Sequence, residues 1–119
     1  MGTLTNRRVL VTGAGHRIGR ALALALARSG ADVAVHYGTS RDEAFAVVRE
    51  IEALGLRAVA VPGDLADPDM PDRIVDESAD ALDGLDAVIN NASLFDKRLF
   101  AETKILNGVL HAVGQKNTP

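Results

Sequence analysis

Apolar positions run along this chain in two alternating rhythms. Compact runs rich in Val, Ala and Leu, "RRVLVT" (7–12), "ADVAVHY" (31–37), "LRAVAVP" (56–62) and "LDAVINN" (85–91), predict short strands. Between them the apolar spacing opens out as on a helix face. Arg17 to Ser29 predicts a helix that is apolar nearly all round, through Ile18, Ala21, Leu22, Leu24, Ala25 and Leu26, with Gly30 just past its end. Ser40 and Glu43 predict a capping box that opens a second helix, whose face is Ala44, Val47, Val48, Ile51 and Leu54 and whose end is Gly55. A third helix carries Ile74, Val75, Ala79 and Leu82. Asp67 and Pro68 suit its cap and first position, and Pro71 competes for the latter.

Short strands alternating with helices imply right-handed crossovers and a parallel sheet, and the fourth strand, apolar on both faces, suits a sheet covered on both sides. The fold class is α/β: a Rossmann-like doubly wound parallel sheet of about four strands, forming one domain over residues 1–119. The last stretch, "AETKILNGVLHAVGQKNTP", spaces Ile105, Val109, Leu110 and Val113 roughly as a helix does, and predicts one final helix with a frayed tail over 100–119. The fourth strand is then expected at or near an edge, with Val88 and Ile89 short of neighbours. Marginal stability or self-association follows from that expectation.

Composition narrows the function classes. A net charge of −3 and a pI near 5.5 leave no basic field to hold a nucleic acid or an anionic membrane. The chain has no cysteine, which excludes disulfides and thiolate metal sites, and no metal site is expected. The apolar run after Arg7 and Arg8 is too short for a signal segment, and the stretch 21–27 is mostly Ala and ends at Arg28, so no segment is expected to span a membrane. The expected location is the cytoplasm.

The candidate chemistry starts at "VTGAGHRIGR" (11–20), which leaves a predicted strand and opens a predicted helix. Gly13 permits a tight turn, Gly15 a close backbone approach, and Gly19 close packing of helix on sheet. Exposed N–H groups and the positive helix end favour a phosphate there; the alternative is a tight strand-to-helix turn with no ligand. The second strand ends in His36 and Tyr37, without the acid that would hold a free ribose 2′-OH, and Thr39, Ser40, Arg41 and Arg17 offer donors to a 2′-phosphate. NADP(H) is therefore expected over NAD(H), although Arg41 also reads as a solvated charge and Ser40 as a simple cap. Asp64 can accept from an adenine amino group with Leu65 near the ring, but Asp64 reads more readily as a turn residue. Asn90 and Asn91 stand at the carboxyl end of the fourth strand, where ligands of open sheets lie, or they tie neighbouring strands together.

"TGAGHRIG", "GDL" and "NNAS", in order and register from Arg7 to Phe95, resemble the cofactor-binding half of the short-chain dehydrogenase/reductase family. "RIG", "VHYGTS" and "NNASLF" are similar to its pteridine reductase and dihydromonapterin reductase branch. The resemblance implies an oxidoreductase that uses NADPH as hydride donor to a pterin- or dihydrofolate-like substrate. It implies that Gly13, Gly15, His16, Arg17, Ile18 and Gly19 cradle the dinucleotide and that Arg17, His36, Tyr37, Thr39 and Ser40 surround the 2′-phosphate. Asp64 and Leu65 would hold adenine, and Asn91, Ala92 and Ser93 would line the cofactor. Arg17 and Ser93 would also reach the pterin, with Phe95 stacked on its ring; Phe95 equally reads as a core residue under the next helix. Gly38 departs from the basic version of this segment, which weakens the expected hold on the phosphate.

Hydride transfer to a carbonyl or imine needs a placed proton donor. The resemblance implies a Tyr-x-x-x-Lys pair for that role, and this chain does not contain one. Its one tyrosine, Tyr37, is followed four places on by Arg41, on the wrong side of the sheet. Asn107 lies closer to "NNAS" than the family's relay Asn does, and Asn-Gly is an ordinary turn signal. His111 has no Asp or Ser at useful spacing and reads as a surface helix residue. No catalytic residue is assigned. Two functions are carried forward: the cofactor half of a truncated or split reductase that needs a complementary chain, and a dinucleotide-binding or interaction module without turnover.

Overall fold

The computed structural model describes residues 2–15 and 17–91, together with the backbone of 110–112. Eight elements follow one another: β1 (Arg8–Val11), α1 (Arg17–Arg28), β2 (Asp32–Tyr37), α2 (Arg41–Ala53), β3 (Ala58–Pro62), α3 (Met70–Leu82), β4 (Ala87–Ile89) and β5 (Leu110–Ala112). The strands form one parallel sheet in the order β3-β2-β1-β4-β5. The doubly wound architecture expected from the alternating pattern is present.

Strand periodicity sorts the core into two layers. Val9 and Val11 of β1 and Val33 and Val35 of β2 face α1 and α2, where they meet Ala23, Leu24, Ala27, Val47, Val48 and Ile51. The intervening Leu10 and Ala34, with Val61, face α3 and meet Ile74, Val75 and Leu82. Alternate residues thus bury on opposite sides, so a slip of one position would exchange the two cores.

Several local expectations change. α1 is amphipathic rather than buried all round: Gly19, Ala23, Leu24 and Ala27 are buried, while Ile18 is 69% exposed and Ala21 and Ala25 face solvent. Ser40 is the cap residue of α2, but its side chain makes no capping bond, so the capping box does not form; the Ser40 carbonyl accepts the Ala44 N–H instead, at 2.9 Å. The cap position of α3 is Asp69, whose side chain makes no capping bond, with Pro71 in the first turn, in place of the expected Asp67 and Pro68. Asp67 serves one step earlier, its Oδ1 accepting the Asp69 N–H at 2.9 Å. Gly30 and Gly55 do close their helices, at φ +104° and +91°.

The largest difference lies beyond β4. Leu110–Ala112 pairs with β4 in parallel register, Ala87 opposite Leu110 and Ile89 opposite Ala112, so a single helix through Ile105–Val113 is excluded at these positions. β4 is accordingly an interior strand. An open row of backbone donors and acceptors on β4 outweighs a helical spacing of apolar residues, because strand formation is decided by the partner as much as by the segment.

At the amino ends of the strands, polar groups brace the sheet. Asp86 Oδ2 accepts the Arg8 N–H at 2.8 Å, and Asp32 Oδ1 accepts the Arg57 N–H at 2.9 Å. The Arg57 guanidinium also donates to the Leu82 carbonyl at the end of α3 and lies 3.4 Å from Asp83. The carboxyl ends carry the site. Strand order reverses between β1 and β4, the place where a crevice opens in sheets of this kind.

Candidate functional site

The loops after β1, β2 and β3 meet at the carboxyl rim with Asn90 and Asn91 at the end of β4. The first is the glycine turn. Gly13 takes φ +62°, which a residue with a Cβ rarely adopts. A Cβ at Gly19 would overlap the Gly13 carbonyl and stand 2.7 Å from Asn91 Nδ2 and 2.8 Å from Ala14 Cα. Only glycine lets α1 start this close to the turn. At Gly15 a Cβ would lie 3.3 Å from both Cβ and O of Ser40, so the close approach there is made to the start of α2.

Arg17 has φ +55°, a left-handed backbone at the first residue of α1. That conformation costs a side-chain-bearing residue about 1–2 kcal/mol, yet an exposed arginine holds it. The N–H groups of a first helical turn have no partner within their own helix, so α1 presents donors and the positive end of its dipole at the rim.

His36 is where sequence reading and structure part. It is buried at 2% exposure; its Nδ1 accepts the Gly13 N–H at 3.0 Å, and its Nε2 lies 2.9 Å from the Gly63 carbonyl. Nδ1 must carry the lone pair, so the proton is on Nε2 and is donated to Gly63. The His36 carbonyl also accepts the Ala14 N–H at 2.9 Å. His36 therefore supports the turn from beneath and does not stand as a donor to a 2′-phosphate. Two turn amides, Gly13 and Ala14, are used inside the protein, and the donors left for a ligand are those that follow.

Tyr37 is buried too, with its ring 6.4 Å from that of Phe45 in an edge-on arrangement. Thr39 and Arg41 are exposed at the rim, and Ser40 is half-buried beside them. No acid ends β2, but Asp42 and Glu43 occupy the first turn of α2, and Asp42 lies 3.9 Å from Arg41. These acids stand beside the donors expected for an anion, but Asp42 is fully in solvent, where its repulsion is screened.

Asp64 closes its own turn, its Oδ1 accepting the Ala66 N–H at 2.9 Å. Leu65 is buried in the α3-side core and not offered to a ring at the surface. After β4, the Thr12 hydroxyl donates to Asn90 Oδ1 at 3.0 Å and accepts the Asn91 N–H at 2.9 Å, while Asn91 Nδ2 donates to the Gly13 carbonyl at 3.3 Å. The two asparagines tie β4 to β1 and to the glycine turn. Asn90 Nδ2 is buried with no partner among the described residues. His16, Ala92, Ser93, Phe95 and Asn107 lie outside the described residues, as does the side chain of His111.

Sequence reading missed two residues here. Thr12 is fully buried and joins the two rim loops through one hydroxyl. Phe45 packs its ring under the Arg41 guanidinium, 4.6 Å from carbon to centroid; the separation of four along a helix was the available signal. Among the described residues no helix is long and apolar enough to cross a membrane, and no three His, Cys, Asp or Glu side chains gather as metal ligands.

Comparison with known proteins finds relatives over most of the chain. The profile of the short chain dehydrogenase family matches residues 7–109. L-rhamnose 1-dehydrogenase (NAD(P)(+)) of Sphingomonas sp. is 41% identical over 105 residues, covering 88% of this chain and 41% of that protein. A 3-oxoacyl-(acyl-carrier-protein) reductase of Staphylococcus epidermidis is 36% identical, covering 96% of this chain and 50% of its own length. The chain thus spans half or less of the curated relatives it matches. Among solved structures, a short chain dehydrogenase of Burkholderia cenocepacia in complex with NADP superimposes with a TM-score of 0.71 at 42% identity, over 82% of this chain and 44% of that one. FolM alternative dihydrofolate reductase 1 of Brucella suis, in complex with NADP, gives 0.68 at 37% identity, over 76% of this chain and 37% of that one.

Proposed function

Because the chain belongs to the short chain dehydrogenase family, we propose that it is the dinucleotide-binding part of an NADP(H)-dependent oxidoreductase whose substrate is a pterin- or dihydrofolate-like ring. The observation that carries the cofactor reading is the glycine turn at the β1/β4 reversal, pinned from below by His36 and Asn91 and followed by the open first turn of α1. Gly13, Gly15, Ile18 and Gly19 bring backbone close to the pyrophosphate. Arg17, Thr39, Ser40 and Arg41 supply positive charge and hydroxyl donors to a 2′-phosphate, and the absence of an acid at the end of β2 removes the group that would select a free 2′-OH. Asp64 keeps one carboxylate oxygen outside its own turn for an adenine amino group. A bound NADPH supplies a hydride.

The substrate reading rests on Arg17. A left-handed backbone at this position suits glycine, and an arginine kept there against that preference argues for a ligand contact beyond the phosphate. The similar FolM reductase supports the ring class. This chain contains no Tyr-x-x-x-Lys pair to give the proton, so in our reading it binds the dinucleotide and does not turn over alone. Association with a complementary chain would use the edge of β5, the last strand of the sheet among the described residues.

Titrating the chain with NADPH and NADH, read by nicotinamide fluorescence, tests the first part: NADPH should bind more tightly, and tighter NADH overturns it. Adding a dihydropteridine to the NADPH complex should produce no steady oxidation. Sustained turnover would show that a proton donor lies elsewhere in these residues.

A further inference from the structure

Phe45 is one of three large apolar side chains exposed among the described residues, and it does not belong to the buried core. Its surroundings are specific. One face lies under the Arg41 guanidinium at 4.6 Å, and the ring meets Tyr37 edge-on at 6.4 Å. Tyr37 is itself buried in the core, so a rigid residue backs the exposed ring.

Arg41 starts α2, where the helix dipole disfavours a cation. Its ion pair with Asp42 is long, at 3.9 Å, and both partners are exposed, so it orients the guanidinium weakly. The π face of Phe45 is then the contact that gives Arg41 a direction. The same stretch of α2 touches the glycine turn through Ser40 and Gly15, which sets Arg41 on the rim next to the dinucleotide cradle.

We propose that Phe45 is a specificity-determining positioning residue: stacked under Arg41 and backed by Tyr37, it holds that cation toward the 2′-phosphate and thereby favours NADPH over NADH. The inference rests on the cofactor reading above. It adds a residue that touches no ligand and acts through another.

The test is a double-mutant cycle on the full chain, with dissociation constants for NADPH and NADH measured side by side. Arg41→Ala should weaken NADPH about tenfold and leave NADH within about twofold. Phe45→Leu, which keeps bulk but removes the π face, should weaken NADPH about three- to fivefold, again sparing NADH. Phe45→Trp should restore the wild-type ratio. In the Arg41→Ala background, Phe45→Leu should have no further effect.

An unchanged NADPH constant in Phe45→Leu overturns the inference. So does a parallel loss of both dinucleotides, the mark of a merely structural role, or a full additional loss on top of Arg41→Ala. If wild type binds NADPH but Arg41→Ala leaves it unchanged, this inference falls and the cofactor reading stands. If wild type binds neither dinucleotide, both fall.

Discussion

A left-handed arginine and a buried serine show how single residues trade stability against other demands. Arg17→Gly removes the backbone penalty at φ +55° but restores glycine's larger unfolded-state entropy, so stability should hold or rise by up to about 1 kcal/mol. Dinucleotide affinity should nevertheless fall, and a urea melt beside an NADPH titration separates the two effects. Ser78 is fully buried on α3 with its hydroxyl unpartnered among the described residues. Ser78→Ala should therefore stabilise the protein by about 1 kcal/mol, seen as a higher midpoint in chemical denaturation; a loss would mean that the hydroxyl has an acceptor. At this scale the sequence was legible where sterics decide. Gly13 and Gly19 had to be glycine for reasons a strand-turn-helix pattern already contains. It was not legible for His36, because the partners of the imidazole, Gly13 and Gly63, come from two other loops. Leu65 was misplaced for the same reason: a leucine after a strand looks the same whether it turns to a ligand or to α3.

Elements were readable where an uninterrupted local pattern marked them, and the three-residue β4 was legible in "LDAVINN". Helices of 12 and 13 residues announced themselves through their apolar spacing, and only their caps moved. β5, with three residues, has almost no local signature and exists through its pairing with β4. Deleting residues 109–119 should therefore strip β4 of that partner and leave its backbone groups open. The expected outcome is concentration-dependent association by light scattering at a loading where the full chain is unchanged. A truncated chain that stays monomeric, with the same melting curve, would show that β4 does not depend on this strand.

Across the whole molecule, the two rims of the sheet do different work. The amino rim is closed by Arg57, which joins the starts of β2 and β3 to the end of α3. Its side chain is half exposed, so Arg57→Ala should cost only about 1 kcal/mol, or about 4–8 °C in melting temperature for a domain of this size. Calorimetry checks that loss, and NADPH affinity should be unchanged because the cradle is on the opposite rim. At the carboxyl rim, a single imidazole ring connects the loop after the first strand to the loop after the third. Any replacement at position 36 must offer an acceptor to one loop and a donor to the other at once. Hydroxyls carry both functions on a single oxygen, whereas the carboxamides of asparagine and glutamine, like the imidazole, carry them on separate atoms that can reach two loops; a replacement that cannot span the pair would have to redraw both together.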